Sequence, residues 1–156
     1  MLELAIPGRP MIAATHLVLD INGTLTTDGE LLPGVADRVE HLKQRVRVLL
    51  LTADTCGTAR RVAEALGVEL TILEPENGGA QKLAVVWNLG PERVIAIGNG
   101  QNDAPMIDAA ALGIAVVQAE GAAGVTLQCA DLVFTSIADA LEALLSSSRL
   151  VATLRK

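Results

Sequence analysis

Short apolar runs alternate along the chain with amphipathic segments of helical period, and this order limits the possible folds most strongly. The runs have the length of buried strands. They cover residues 17–20, 46–52, 69–73, 94–98, 114–117 and 132–135. The helical segments cover residues 35–44, 58–66, 79–89, 104–110 and 137–145, with ends predicted at Gly67, Gly90 and Gly113. The alternation predicts an α/β domain built on a doubly wound parallel sheet.

The composition agrees with such a sheet. Hydrophobic residues make up 51% of the 156 residues and aromatic residues only 1%, so the core must be built from Ala, Val, Leu and Ile. Parallel strands that are covered on both faces by helices have this composition. The length fits one domain, which we place at residues 1–156. Residues 1–15 do not follow the alternation, and we predict that they form an N-terminal arm or an edge strand.

A hairpin signal follows the first predicted strand. Asp28 and Gly29 lie at the centre of residues 25–32, and Asp-Gly is a favoured two-residue hairpin turn. We predict a small β-flap over residues 25–32, with a plain surface turn as the alternative. The flap begins a few residues after Asp20, so it would stand beside any site to which Asp20 belongs.

Charge and hydropathy exclude several classes of partner. The net charge is −6, no cluster of Lys or Arg occurs, and almost no aromatic rings are available to stack on bases, so we expect no nucleic-acid partner. No apolar stretch reaches the roughly 20 residues of a membrane span, so we also expect no membrane partner. The first five residues lack the basic and apolar regions of a signal peptide, which predicts a cytoplasmic location.

The first apolar run ends in an aspartate, Asp20. Open α/β sheets place their chemistry at the carboxyl ends of the strands, and a carboxylate there can attack phosphorus to form an acyl phosphate. We therefore predict that Asp20 is a nucleophile. Asn22 would point the same way if the strand continued, but its amide neither accepts nor releases a proton near pH 7.

Three more polar residues follow predicted strands at what would be the same edge of the sheet. Thr52 has a hydroxyl that can donate to a phosphate oxygen; alone, it is equally compatible with helix capping. Lys82, one of three lysines in the chain, can offset the charge of a phosphate, or it is a solvated helix lysine. Asp103 lies in a glycine-rich turn and, with Asp20, offers the oxygen ligands that Mg²⁺ prefers; a simple strand-to-helix loop is the alternative.

Together these segments resemble the motifs of the haloacid dehalogenase (HAD) superfamily of phosphotransferases. Residues 20–26 (Asp-Ile-Asn-Gly-Thr-Leu-Thr) resemble the first motif, Thr52 the second, Lys82 the third and residues 98–103 (Gly-Asn-Gly-Gln-Asn-Asp) the fourth. The first and fourth are most similar to the phosphorylation domain of P-type ATPases and to their small soluble relatives. The intervals between the motifs are short, so the resemblance implies a Rossmann-like domain without a cap.

The resemblance implies a role for each matching position. The catalytic positions would be Asp20, Asn22, Thr52 and Lys82. The phosphate-binding positions would be Gly23, Thr52, Ala53 and Lys82. The Mg²⁺ ligands would be Asp20, the backbone carbonyl of Asn22, Asn99 and Asp103.

Two asparagines depart from the motifs of the superfamily's phosphatases. Asn22 replaces an aspartate that protonates the leaving group and later activates water, and loss of such a group lowers a rate by about 10²–10⁴. Asn99 replaces an aspartate of the fourth motif, which removes one negative charge from the Mg²⁺ site. Asp28 and Asp54 are the carboxylates nearest in sequence that could replace the missing acid.

We therefore predict a slow Mg²⁺-dependent phosphohydrolase or phosphotransferase that acts on a small phosphorylated substrate. The alternative is a non-catalytic module that binds phosphate and Mg²⁺ for regulation or assembly. A site without a cap excludes water only when another surface covers it. We therefore also predict a homo-oligomer, with Leu25, Leu31 and Leu32 of the flap at the contact.

Overall fold

The computed structural model describes residues 1–54 and 57–156. The strands in these residues are β1 (Leu2–Leu4), β2 (Ile12–Ala14), β3 (His16–Asp20), β4 (Thr26–Thr27), β5 (Glu30–Leu31), β6 (Arg47–Thr52), β7 (Glu69–Ile72), β8 (Val94–Gly98), β9 (Leu112–Val116) and β10 (Leu132–Phe134). The helices are α1 (Val35–Lys43), α2 (Ala59–Leu66), α3 (Gly78–Leu89), α4 (Ala104–Ala109), α5 (Gly124–Cys129), α6 (Ile137–Leu145) and α7 (Ser147–Leu154). Single 3₁₀ turns lie at Pro75–Asn77, Pro91–Arg93 and Gln101–Asp103.

Six strands form one parallel sheet in the order β10-β9-β8-β3-β6-β7. The chain runs outward from β3 through β6 to β7, returns to β8 on the other side of β3, and runs outward again to β10. The strand order therefore reverses between β3 and β8, and doubly wound sheets bind ligands at the carboxyl ends of the strands at such a point. The predicted doubly wound α/β fold is confirmed.

Alternate residues of the central strand β3 face opposite layers of the core, as the pleat of a strand requires. Leu17 and Leu19 belong to the apolar cluster that includes buried residues of α1, α2 and α6. Val18 belongs to a second cluster, with Val86 of α3 and Met106 of α4. Both faces of the sheet are covered, so the strands are apolar at nearly every position, and this is why continuous apolar runs predicted them.

The predicted flap is confirmed. β4 and β5 pair as an antiparallel hairpin directly after β3. Asp28 has φ 50° and Gly29 has φ 80°, the left-handed conformation that a two-residue hairpin turn needs at both central positions.

The first 14 residues form a second hairpin, in which β1 and β2 pair as an antiparallel sheet of their own. Leu2, Leu4 and Ile12 are buried in the same cluster as Leu17. The Thr15 N–H donates to the Arg93 carbonyl at 2.9 Å, just before β8. The N-terminal hairpin thus lies near the amino ends of the central strands, away from Asp20.

Two features differ from the sequence prediction. Gly113 does not end a helix: it lies inside β9, where a Cβ would stand 2.3 Å from the Ile107 carbonyl oxygen. The glycine therefore allows α4 and β9 to approach closely. Helices α5 and α7, of six and eight residues, were not predicted. Among the described helices, none has both the length and the apolar character needed to cross a membrane.

Candidate active site

Asp20 ends β3 at the point where the strand order reverses, and it is only 7% exposed. Its Oδ1 accepts a hydrogen bond from Lys82 Nζ at 2.7 Å. Its Oδ2 accepts one from Thr24 Oγ1 at 3.1 Å. The register pairs Asp20 with Leu51 of β6, so Thr52, the last residue of β6, lies at the same edge of the sheet.

Lys82 is fully buried on α3. Besides Asp20, its Nζ contacts Asp103 Oδ1 at 2.5 Å, so one ammonium bridges two carboxylates. The alternative of a solvated helix lysine is excluded.

Asp103 holds the glycine-rich loop of residues 98–103 as well as the lysine. Its Oδ2 accepts the N–H groups of Asn99 at 3.0 Å and of Gly100 at 2.9 Å. Gly98 makes this possible, because a Cβ there would lie 2.5 Å from the Asp103 carboxyl carbon. Asp103 therefore supplies negative charge to the site and also fixes the position of Asn99.

Asn99 directs its amide oxygen toward the loop of residues 21–26, which we call the nucleophile loop after the predicted role of Asp20. Its Nδ2 donates to the Gly121 carbonyl at 3.0 Å, which leaves Oδ1 facing Thr24 Oγ1 at 3.2 Å. The Thr24 hydroxyl thus lies between Asp20 Oδ2 and Asn99 Oδ1. A hydroxyl has one proton, so it can donate fully to only one of these oxygens at a time.

Burial and the paired carboxylates set the charges of the site. Burial raises the pKa of Asp20, the Asp103 charge raises it further, and Lys82 opposes both; the net pKa is about 7. Burial disfavours the charged form of Lys82, but Asp20 and Asp103 outweigh it, so the pKa of Lys82 is raised. Lys82 is therefore a permanent cation. When both carboxylates are ionised, one further positive charge is needed to balance them.

These residues fit a divalent cation such as Mg²⁺, which binds carboxylate and amide oxygens and keeps several waters. Asp20 Oδ2 and Asn99 Oδ1 lie 3.1 Å and 3.2 Å from the same Thr24 hydroxyl, and ligation of one ion by both oxygens stays a prediction. Both oxygens of Asp103 already accept hydrogen bonds. Direct ligation by Asp103, like ligation by the Asn22 carbonyl, stays a prediction. Within residues 1–54 and 57–156, no group of three or more His, Cys, Asp or Glu converges as a metal site would.

The turn after Asp20 wraps around the Ile21 carbonyl oxygen, which accepts the N–H groups of Thr24 at 3.1 Å and Leu25 at 2.8 Å. Gly23 has φ 78° in this turn. Its N–H donates to a backbone carbonyl within the turn at 3.0 Å, so a contact with phosphate would have to share that N–H. The phosphate-binding role of Gly23 stays a prediction. Asn22 is half-buried in the same turn.

Thr52 is buried with its hydroxyl partly engaged. Oγ1 accepts the Asp54 N–H at 3.0 Å, so the hydroxyl proton is still available to a phosphate oxygen. The N-cap residue of α2 is Thr58, and Asp54 Oδ1 accepts the N–H of Ala59, the first helical residue, at 3.0 Å, so Thr52 does not cap the helix. The Asp54 carboxylate is thus already hydrogen-bonded to the backbone at the start of α2. Ala53 lies between Thr52 and Asp54, and its contact with phosphate stays a prediction.

Sequence reasoning did not find Gln118, which supports the nucleophile loop from outside. Its Nε2 donates to the carbonyls of Gly23 at 3.2 Å and Thr24 at 2.9 Å, and its Oε1 accepts the Ile137 N–H at 2.8 Å. No motif or spacing in the sequence marks Gln118, because its side chain contacts only backbone carbonyls in that loop, about 95 positions earlier in the chain.

The flap leucines do not form an exposed patch. Leu25 is fully buried, and Leu31 and Leu32 are half-buried against the core, so the predicted contact through Leu25 is wrong. Short alternating segments do not tell which side of a hairpin packs inward. A homo-oligomer stays a prediction. Arg61 of α2 holds the flap, donating to the Gly29 carbonyl at 3.1 Å and to the Glu30 carboxylate at 2.9 Å.

Known proteins share this sequence pattern. The model of the haloacid dehalogenase-like hydrolases matches residues 12–111. The zinc-exporting P-type ATPase of Mycobacterium marinum is 36% identical over 114 residues, which are 67% of this chain and 15% of that protein. The uncharacterized protein MJ0073 of Methanocaldococcus jannaschii is 40% identical over 90 residues, 53% of this chain and 97% of that protein. The alignments cover between 11% and 15% of the length of six transporting ATPases, including the Mycobacterium marinum protein.

Solved structures share the fold. The 3-deoxy-D-manno-octulosonate 8-phosphate phosphatase of Moraxella catarrhalis, in complex with magnesium, phosphate and its sugar, aligns with a TM-score of 0.71. The alignment covers 91% of this chain and 94% of the phosphatase at 18% identity. The family match covers well over half of the chain and contains Asp20, Thr52, Lys82 and Asp103. The chain therefore belongs to the haloacid dehalogenase-like hydrolases and has the fold of that family's small phosphatases.

Proposed function

We propose that the protein is a Mg²⁺-dependent phosphohydrolase that acts on small phosphorylated substrates through an aspartyl-phosphate on Asp20. The observation that carries the proposal is the contact of Lys82 Nζ with both Asp20 and Asp103 at the end of the central strand. A buried carboxylate held in place by a permanent cation, at the edge where α/β folds bind ligands, has the position that a nucleophile requires.

In the proposed first step, an Asp20 oxygen attacks the phosphorus of the substrate. The bond between phosphorus and the leaving oxygen breaks, and the leaving group departs with the electron pair. Lys82 and the Thr52 hydroxyl would bind the phosphoryl oxygens. A bound Mg²⁺ would supply positive charge against the charge on those oxygens. Lys82 stays protonated throughout, since the two carboxylates raise its pKa.

In the second step, water attacks the phosphorus of the aspartyl-phosphate, which restores the Asp20 carboxylate and releases inorganic phosphate. Asn22 stands two residues after the nucleophile and cannot transfer a proton in either step. The leaving group must take its proton from solvent, and the attacking water must lose one to solvent. We therefore propose slow turnover, with a deficit of about 10²–10⁴ relative to a site that has a general acid/base.

Similar proteins support phosphoryl chemistry of this kind. The Moraxella catarrhalis phosphatase was solved with magnesium and phosphate bound. The zinc-exporting P-type ATPase of Mycobacterium marinum is similar to 67% of this chain. The identity to the phosphatase is only 18%, so the substrate is proposed only as a class.

Turnover of an aryl phosphate with and without Mg²⁺ tests the proposal. We expect slow hydrolysis that requires Mg²⁺ and is abolished by Asp20→Asn. Asp108→Asn is the matched control, because Asp108 is an exposed aspartate on α4, and we expect it to leave the rate unchanged. Hydrolysis that persists in Asp20→Asn would reject the mechanism. Binding of Mg²⁺ and phosphate without any turnover would favour the non-catalytic module.

A further inference from the structure

Residues 118–126, which we call the support segment, touch both loops of the candidate site without belonging to either. At one end, the Gln118 side chain binds the Gly23 and Thr24 carbonyls. Further along, the Gly121 carbonyl accepts the Asn99 side-chain amide at 3.0 Å. The segment therefore contacts the loop that follows the nucleophile and the loop that carries the amide oxygen.

Backbone and side-chain hydrogen bonds extend the second contact. The Ala123 N–H donates to the Asn99 carbonyl at 2.8 Å. The hydroxyl of Thr126, which is fully buried, donates to the Gly100 carbonyl at 2.7 Å. A turn closed by the Gly121 N–H and the Gln118 carbonyl at 2.9 Å joins these contacts to Gln118. The two site loops are thus tied to one short piece of chain.

The orientation of the Gln118 amide follows from its partners. Two carbonyl oxygens and one N–H surround it, so the nitrogen must face the carbonyls and the oxygen must face the Ile137 N–H. Ile137 is the first residue of α6, where backbone N–H groups have no partner within the helix. The helix start therefore anchors Gln118, and Gln118 anchors the nucleophile loop.

Fixing these carbonyls also fixes the Thr24 side chain. A peptide unit is planar, so the direction of the Gly23 carbonyl sets the direction of the Thr24 N–H. That N–H closes on the Ile21 carbonyl, and the Thr24 hydroxyl then lies 3.1 Å from Asp20 Oδ2 and 3.2 Å from Asn99 Oδ1. A rotation of this peptide would move the hydroxyl away from both oxygens.

We propose that Gln118 is a positioning residue for the Asp20 reaction. Through the backbone of Gly23 and Thr24, it sets the separation between the Asp20 and Asn99 oxygens. This inference deepens the proposed function and rests on it. Gln118 itself touches neither the nucleophile nor, in the proposed reaction, the phosphate. Residues of this kind affect metal affinity or activity by about 10–100-fold when they are changed.

Gln118→Glu tests the proposal with almost no change of shape. One oxygen of the new carboxylate still accepts the Ile137 N–H, but the other would face two carbonyls that it cannot donate to. We expect turnover of an aryl phosphate to fall by about 10–100-fold and Mg²⁺ activation to require a higher concentration, with a smaller change in KM. Gln128→Glu is the matched control, since Gln128 is exposed on α5 in the same part of the chain.

Hydrogen exchange provides a measurement that does not depend on turnover. We expect the amide protons of Thr24 and Leu25 to exchange faster in Gln118→Glu than in Gln128→Glu, while amides of β6 keep their protection. Unchanged exchange in the nucleophile loop would overturn the proposal, and so would faster exchange with unchanged turnover and Mg²⁺ dependence. If the unaltered protein shows no turnover, the proposed function fails, while exchange and Mg²⁺ affinity still decide the role of Gln118.

A double-mutant cycle with Thr24→Val separates positioning from a general loss of stability. If Gln118 acts through the Thr24 hydroxyl, Gln118→Glu should lower turnover much less when that hydroxyl is already absent. A purely structural effect would lower turnover by the same factor in both backgrounds, and that result would contradict the proposal. Should Gln118→Glu unfold, Gln118→Leu, which adds no charge, is measured in the same cycle with the same expectation.

Discussion

Asn99 occupies the space that a side chain on Gly23 would need. A Cβ at position 23 would lie 2.4 Å from Asn99 Nδ2 and 3.0 Å from its Oδ1. Contacts this short would force the Asn99 side chain to move and break its hydrogen bonds to Gly121 and Thr24, so the two loops keep this packing only if residue 23 has no side chain. The separation between Asp20 and Asn99 thus depends on a glycine.

Gly23→Ala should therefore disturb the site rather than the fold. We expect turnover to fall by about 100-fold, the effect of moving reacting groups by about 1 Å. Gly8→Ala is the control. Gly8 has φ 84°, close to the 78° of Gly23, but its Cβ would make only ordinary contacts with Lys156. Steady-state kinetics and thermal unfolding of both variants check this. Equal losses of activity in the two variants would contradict the contact with Asn99 as the cause.

The alternation of apolar runs with amphipathic segments was enough to predict the parallel sheet, because strands covered on both faces are apolar at nearly every position. The same pattern predicted that Asp20, Lys82 and Asp103 lie close together, since parallel strands end at one edge of the sheet and the residues that follow them meet there. The role of Gln118 could not be predicted, because its partners are backbone carbonyls in a distant loop. The burial of Leu25 was also missed, because a two-residue strand is too short to show which side packs inward.

Lys82→Met should destabilise the fold strongly. The substitution leaves two buried carboxylates without their cation, which typically costs about 3–5 kcal/mol in the free energy of unfolding. Added Mg²⁺ should recover part of this loss, because it supplies positive charge to the same oxygens. Turnover should be abolished. Denaturant unfolding with and without Mg²⁺ measures the effect.

Lys43→Met is the control for that experiment. Lys43 is partly exposed on α1 and pairs with Glu40 at 2.7 Å, where solvent screens both charges, so we expect Lys43→Met to change the free energy of unfolding little. The loss in Lys82→Met should be largest above neutral pH and shrink as the pH falls toward 7, because Lys82 holds the pKa of Asp20 down to about 7 and without it the carboxyl is protonated at a higher pH. If Lys82→Met is as stable as Lys43→Met above neutral pH, the bridging role of Lys82 is wrong.

Asn22→Asp should raise turnover of simple phosphate esters, by up to about 10²–10⁴, because it restores a group that can transfer protons. The gain should be larger for alkyl phosphates than for aryl or acyl phosphates, whose leaving groups depart without a proton. Comparing kcat/KM across leaving groups of different pKa measures this. A uniform gain, or none, would show that proton transfer at position 22 does not limit the reaction.

Deamidation must be controlled in that comparison. Asn22 and Asn99 are each followed by glycine, which has no side chain to hinder attack of its backbone nitrogen on the asparagine amide. The N–H groups of Gly23 and Gly100 are hydrogen-bonded in the structure, so deamidation requires these contacts to open. Slow conversion of Asn22 to aspartate would add a trace of faster enzyme to an aged sample. Peptide mapping of fresh and aged protein, with rates measured on both, should show a rate that rises with the fraction of aspartate at position 22.

Trapping the phosphorylated intermediate tests the central claim most directly. Protein that is mixed with Mg²⁺ and an acyl phosphate, quenched in acid and reduced with borohydride should carry homoserine in place of Asp20. Slow hydrolysis by a site without a general base should let this species accumulate, and beryllium fluoride should block its formation. Homoserine at position 20, seen by mass spectrometry of the peptide, is the predicted result. Continued hydrolysis of the substrate with no modification of Asp20 under these conditions would contradict it.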